Sequence, residues 1–302
     1  MLTARIIKEK AREYGADLCG IASIDRFLDT DEQRSPLSVL PNAKSVIGFG
    51  FRIPKGLYYC MDRETQYSNY VSLGVKYIDE DLSEIFLLKM AALIENKGYD
   101  ACVQRNISNL KIKGDKTQNP EVKDTYELVH ARAVAEGKPV PDVIMDFPYA
   151  AKMCGLGSVS LKGNVITKEY GPFVRFVFIV TDAPLEPDSI FEENLCDSCG
   201  ECIKACPGNA VSEEGLDSWQ CSVYYRGAHR SNPYMTEDFL KGNPHREAIL
   251  NGEYRFDSVS ARGIYPHEDF MPMRQTGYAP CLCGKACDTA CFNHLKRKGV
   301  IK

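Results

Sequence analysis

The chain has no apolar run approaching about 18 residues, so no stretch of it has the length of a membrane span. Its opening, MLTARIIKEKAREYG, lacks the apolar core and small-residue cleavage site of a secretory signal, and no twin-arginine pair precedes it. The expectation is a cytoplasmic protein with no membrane partner. A basic excess is missing too. A net charge of -4 over 302 residues argues against a general nucleic-acid binder. There is no complete dinucleotide fingerprint, because GFGF at Gly48–Phe51 lacks the remaining glycine spacing. That counts against a cofactor such as a flavin in an α/β domain. Histidine is sparse: His130, His229, His245, His267 and His294 form no paired pattern and read as surface or structural residues. His229, in YYRGAHR shortly after Cys221, is the one singled out for attention.

What the chain does have is cysteine, 13 in all, unevenly placed. Cys19, Cys60, Cys102 and Cys154 are scattered through the first half; the first three read as plain buried residues, and Cys154, beside Gly155, as core or pocket-lining, with core favoured. The other nine fall between Cys196 and Cys291. In a reducing compartment such clustering favours metal ligation over disulfides. CDSCGECIKACP, from Cys196 to Pro207, places Cys196, Cys199, Cys202 and Cys206 at the spacing of a bacterial ferredoxin run. Short loops let successive thiolates converge while backbone N–H groups turn toward the sulfurs. Pro207 ends the short helix and sends the chain away. In two-cluster proteins the fourth cysteine of such a run serves the other cluster. The motif therefore predicts remote partners, and Cys221 and CLCGKACDTAC, with Cys281, Cys283, Cys287 and Cys291, supply them. A zinc site is the competing reading, but zinc more often pairs two short hooks across a longer gap.

The first half reads as alternating helix and strand. Residues 2–14 predict a helix with Ile6, Ile7 and Ala11 on one face. DLCGIAS, SVIGFGF, DACVQ and FVRFVFIVT predict strands. A long helix is expected over 67–97, with Ile78, Leu82, Ile85 and Ala92 at helical spacing and Gly98 ending it. The order suggests an α/β sheet covered by helices. A polar excursion over about 110–141 holds one expected helix near 122–136 and reads as a solvated surface segment or a lid. APLEPD then leads out of this domain. The expected division is 1–188 for an α/β (α+β) cofactor and substrate domain, and 189–302 for a cysteine-rich domain.

The stretch AAKMCGLGSVSLKGNVITKEYGPFVRFVFIVTDAPLEPD, followed by CDSCGECIKACPGNAV, resembles the epoxyqueuosine reductase family, especially its double-cluster paralogues, and through it the reductive dehalogenases. The resemblance covers nearly the whole chain and is strongest over 146–221 and at CGKACDTACFNHL. It implies a ferredoxin-like C-terminal module holding two 4Fe–4S clusters, joined to a domain that binds base-off cobalamin. Cys196, Cys199, Cys202 and Cys291 would hold the cluster nearer the active site. Cys206, Cys221, Cys283 and Cys287 would hold the outer one, with Cys281 as the substitute. The family carries its proton-donating aspartate upstream of GLG, where this chain reads PDVIMDFPYAAKMCGLG. Asp142 and Asp146 lie near that position without the family's neighbours. They, with Tyr149, are the expected catalytic residues, and Tyr67 and Tyr70 are further proton-donor candidates whose plainer role is packing. Gly155, Gly157, Gly163, Tyr170 and Gly171 are the expected cofactor-binding positions. Ser160 stands where the family has glycine, and the excursion looks inserted. Both argue against the tRNA substrate.

The implied function is an anaerobic iron–sulfur reductase acting on an unidentified small molecule, fed by a low-potential donor such as ferredoxin or flavodoxin. The alternative is an electron-transfer module that reactivates a corrinoid protein or serves a partner oxidoreductase, with no substrate of its own.

Overall fold

The computed structural model describes residues 1–106, 112–113, 126–127, 133–264 and 281–301. Helix α1 (Ala4–Glu13) starts at Thr3, whose hydroxyl accepts the N–H of Ile6, and buries Ile7 and Ala11. Strands β1 (Leu18–Ser23), β2 (Ser45–Arg52), β3 (Ala101–Gln104) and β6 (Val174–Thr181) make one sheet, in the order β1-β2-β6-β3. Helix α2 (Lys55–Asp62) and helix α3 (Ser83–Glu95) lie between β2 and β3 in the chain. Helix α4 (Phe147–Met153) and a small hairpin, β4 (Ser158–Val159) and β5 (Val165–Ile166), precede β6.

The expected strands are present, and every pairing in the sheet is antiparallel. β2 and β6 are rich in β-branched and aromatic residues, which suit a pleated surface buried on both sides. Their side chains alternate between two cores. On one face Ile47, Phe49, Val177 and Ile179 pack with Ile7, Phe86, Met90 and Ile94. On the other, Val46, Phe176, Phe178 and Val180 pack with Phe27, Met145, Ala150 and Leu156. The result is a mixed α/β fold with helices on both faces of the sheet.

The segment expected as one long helix is helical from Ser68 to Glu95, and Gly98 follows with φ 83°. Its buried face differs from the expected one. Residues Ser72–Leu82 form a π-helix, whose wider turn shifts the faces relative to an α-helical count. Ile78 is buried, but Leu82 and Ile85 are 45% and 57% exposed and Ala92 also faces out. Phe86, Leu87, Met90 and Ile94 take the core positions instead. Asp79, buried in this π-turn, accepts the Arg175 guanidinium from β6 and ties the segment to the sheet.

The expected helix near 122–136 lies for the most part outside the described residues. Residues 112–113 and 126–127 pair as a short antiparallel ladder.

The cysteine-rich part contains helix α5 (Glu201–Ala205), helix α6 (Ser218–Tyr225) and helix α7 (Ala286–Arg297). Between Cys206 and Cys281 the chain builds a satellite core around Trp219, Val223, Tyr224, Phe239, Leu250 and Phe256. The main core runs across residue 188. The rings of Tyr58 and Phe173 stack at 3.8 Å, and Phe292 of α7 tilts against both, at 5.2 and 5.7 Å. Cys291 is therefore carried by a helix anchored in the core of the sheet domain. Among the described residues, no helix is long and apolar enough to cross a membrane.

Candidate metal centre

The ferredoxin-like run folds as a loop followed by α5. Gly200 takes the left-handed conformation that starts the helix, at φ 74°, and Cys206 ends it in extended geometry before Pro207. Helix α7 packs against α5, and the β4–β5 turn lies beside both. These three elements enclose an open cavity of about 400 Å³, including its mouth, into which Cys196, Cys199, Cys202 and Cys291 all face. Ser160, Leu161 and Lys162 of the turn, and His294 and Leu295 of α7, complete its wall. The backbone N–H of Leu161 donates to Cys196 Sγ at 3.4 Å.

A second group forms next to it. Cys206 and Cys283 are charge neighbours of Cys221, and Cys283 is also a neighbour of Cys287. Ala210 N–H donates to Cys206 Sγ at 3.2 Å. Cys281 is fully buried, with its sulfur 3.7 Å from that of Cys283. Burial, together with the nearby thiols, pushes Cys221 up to about 11. Burial and then Asp288 push Cys287 up to about 12, and burial pushes Cys291 up to about 12, against the pull of Lys162. Thiols so crowded and desolvated give up their protons only to a compensating cation, which a metal cluster provides. Two neighbouring groups of cysteine with N–H groups turned to sulfur suit iron–sulfur ligation.

A buried charged group sits between them. Lys162 has only 6% of its side chain exposed and pairs with Asp288, itself 8% exposed. Its ammonium also reaches Cys287 Sγ at 3.4 Å. Lys285 meets the other Asp288 oxygen at 3.2 Å, and Asn164 Nδ2 donates to the first at 3.2 Å. Burial opposes the charge on Lys162, but Asp288 and Cys287 outweigh it and raise its pKa. Burial opposes that of Asp288 as well, yet the two lysines bring it down to about 2. Sequence reasoning singled out none of these three. The available signals were a lysine inside the tight SLKGN turn and an acid placed directly after a cysteine.

Another residue read as merely structural, His294, lines the first cavity and meets Asp197 at 3.0 Å. Lys298 and then His294 hold the Asp197 carboxyl well below its ordinary range. Asp197, Cys199 and His294 bring one potential ligand atom each within 4.8 Å of one another. His229 lies elsewhere, with Nδ1 2.8 Å from Ser231 Oγ, and His130 and His267 fall outside the described residues.

The sheet domain holds a second cavity, about 660 Å³ with its mouth, lined by Asn106, Ile144, Phe147, Pro148, Asn164, Val165, Val174, Arg175 and Phe176. Its lining mixes polar and apolar surface in about equal parts, and its size falls within the range of small-molecule sites. Asn164 belongs both to this lining and to the charged group at Asp288.

None of the expected catalytic residues lines that cavity, although Asp146 and Tyr149 flank the lining pair Phe147 and Pro148 in the chain. Asp146 caps α4 by accepting the Tyr149 N–H at 3.0 Å and pairs with Arg34 at 3.3 Å. Tyr149 gives its hydroxyl proton to the Arg26 carbonyl at 2.8 Å. Asp142 is exposed, with φ 61°. Tyr67 and Tyr70 are both buried, Tyr70 in the main core.

The glycine-rich stretch brings chain segments together. A Cβ on Gly157 would come within 2.3 Å of the Ile166 carbonyl, and one on Gly155 within 2.5 Å of that of Ser189. Gly163 sits in the β4–β5 turn. Gly171 packs near Phe292 and Ile301, and the Tyr170 ring lies under Arg52 at 5.9 Å. Of the scattered cysteines only Cys154 is fully buried; Cys19, Cys60 and Cys102 are half-buried. Cys19 and Cys102 pack against the cores from the two edge strands, β1 and β3, where one side stays open, so burial there is partial rather than complete.

Comparison with known proteins adds four findings. Residues 190–212 match the 4Fe-4S binding domain family. The chain is 28% identical to the epoxyqueuosine reductase of Leadbetterella byssophila, over 72% of its own length and 67% of that protein's. A shorter stretch is 39% identical to the tetrachloroethene reductive dehalogenase of Sulfurospirillum multivorans, over 20% of this chain and 12% of that one. The solved epoxyqueuosine reductase of Streptococcus thermophilus aligns with a TM-score of 0.45 at 17% identity, covering 83% of this chain and 63% of that one. The chain thus spans less than two thirds of that structure.

Proposed function

We propose that this chain, a homologue of the epoxyqueuosine reductases and the reductive dehalogenases, is an oxidoreductase that passes electrons through two cysteine-held 4Fe–4S clusters to the pocket of its sheet domain. The observation that carries the reading is the shared cavity of Cys196, Cys199, Cys202 and Cys291. Cysteines from the two ends of the cysteine-rich region converge there, as the ferredoxin arrangement requires.

In this reading Cys196, Cys199, Cys202 and Cys291 hold the inner cluster, and Cys206, Cys221, Cys283 and Cys287 hold the outer one. Cys281 fills the core behind Cys283. Bound there, each cluster supplies a one-electron carrier. Residues 189–302 form the electron-carrying part and residues 1–188 the acceptor part. A low-potential donor such as a reduced ferredoxin or flavodoxin supplies the electrons, and the substrate is a small molecule.

In this reading the sheet pocket receives a flat group that has both apolar and hydrogen-bonding edges. Phe147, Val174 and Phe176 supply apolar contact, and Asn106, Asn164 and Arg175 supply hydrogen-bond donors. A base-off corrinoid is such a group, and when bound it supplies a cobalt centre able to deliver electrons to a reducible substrate. Asn164 links this pocket to the charged group beside Cys287. In this reading Asp142, Asp146 or Tyr149 supplies the proton.

Anaerobic reconstitution with iron and sulfide tests the reading. The expected product holds about eight irons per chain, gives two reducible electron-paramagnetic signals with dithionite, and takes up one equivalent of cobalamin. About four irons sinks the two-cluster assignment. Eight irons without corrinoid uptake leaves an electron-transfer module in place of a corrinoid reductase.

A further inference from the structure

We propose that Lys162 is a shared electrostatic control of the two cluster sites, a positioning residue whose single ammonium favours the added electron on either one. The inference rests on the two-cluster reading above. Lys162 lines the cavity of Cys196, Cys199, Cys202 and Cys291, and its Nζ also lies 3.4 Å from Cys287 Sγ in the other group.

The turn that presents Lys162 is closed on itself. Ser160 N–H donates to the Asn164 carbonyl at 2.8 Å, and Ser160 Oγ accepts the Lys162 N–H at 3.2 Å. Asp288 pins the ammonium from the far side. With 6% of the side chain exposed, solvent ions screen the charge weakly.

The sign of the effect follows from charge. Four thiolates leave a bound cube with net negative charge, and reduction by one electron from dithionite adds one more. Lys162, Lys285 and Asp288 together carry one net positive charge, which stabilises the reduced form. Lys285 is placed differently from Lys162. It pairs with Asp288 at 3.2 Å and lies over the Tyr225 ring at 5.5 Å, and it is a charge neighbour of Cys221, Cys283 and Cys287. Its influence therefore falls on one cluster, whereas that of Lys162 falls on both.

The test is a redox titration of the reconstituted full-length protein with dithionite, followed by electron paramagnetic resonance. Lys162→Met is expected to disfavour reduction of both clusters at least tenfold, a downward shift of about 59 mV each for a one-electron couple. Lys162→Arg is expected to stay near wild type. Lys285→Met is expected to shift one signal only. Asp288→Asn, which removes the anion and leaves both cations, is expected to shift both signals upward. Unmoved potentials in Lys162→Met with full iron content overturn the inference. If Lys162→Met does not retain its iron, Asp288→Asn decides: an upward shift in both signals upholds the proposal, and no shift overturns it. Wild-type protein with about four irons overturns the two-cluster reading and this inference together, whereas eight irons with unmoved variants overturns the inference alone.

Discussion

The side-chain amide of Gln220, wholly buried, donates to the Gly208 carbonyl at 2.7 Å. The same Nε2 donates to the Tyr254 carbonyl at 2.8 Å, and Oε1 accepts the Phe256 N–H at 2.9 Å. One residue thus clamps the turn after Cys206, the helix bearing Cys221 and the satellite core.

Gln220→Leu leaves two buried backbone groups, the Gly208 carbonyl and the Phe256 N–H, and the part-buried Tyr254 carbonyl without that partner. A buried unsatisfied group costs about 1–3 kcal/mol, so a loss of roughly 3 kcal/mol or more is expected. Urea unfolding of the variant measures it. Iron loss is expected first from the Cys206–Cys221 group, seen as selective fading of one paramagnetic signal. Unchanged stability would show that the clamp is idle.

Cys291→Ala and Cys281→Ala separate cavity cysteine from core cysteine. The first is expected to lower iron from about eight to about four per chain, and the second to leave about eight. Loss of one signal in Cys281→Ala would move the ligand assignment from Cys283 to Cys281.

Asp79→Ala removes the partner of a guanidinium that joins the π-turn to β6. Breaking a buried pair costs about 3–5 kcal/mol. Arg175 keeps 29% of its side chain exposed, which places the expected loss at about the lower end of that range. Thermal unfolding checks it. Because Arg175 also lines the sheet pocket, ligand uptake there is expected to weaken.

His229 carries a pH dependence of definite sign. Burial and then Arg230 lower its pKa, and its neutral Nδ1 accepts the Ser231 N–H at 3.2 Å. Between the folded pKa and the unfolded value near 6.5, the unfolded chain holds more protons, so stability rises with pH. The contribution is full above about 6.5 and is lost as pH falls through the folded pKa. Stability measured from pH 7.5 to 5 is expected to decline, and His229→Gln is expected to flatten that decline. An unaltered slope would assign it to other groups.

Much of the scaffold was readable because its signals are local. Runs such as SVIGFGF and FVRFVFIVT show their strand character within eight residues, and the matches at residues 45–52 and 174–181 follow. The long helix was also visible, but its core face was not. A π-turn over 72–82 shifts the phase, and single-sequence periodicity assumes a constant one.

By itself the sequence determined where sulfur is concentrated. Cys196 to Cys206 lie close enough along the chain for covalent geometry to hold them together, and the matched region 190–212 contains all four. Tertiary packing alone decided which distant side chains face them. The anchoring of Phe292 against Tyr58 and Phe173 delivers Cys291 to the first cavity, and the same helix delivers Asp288 to Lys162. Spacing along a chain constrains only near neighbours, whereas the meeting of remote charges and thiols is set by how apolar surfaces bury one another.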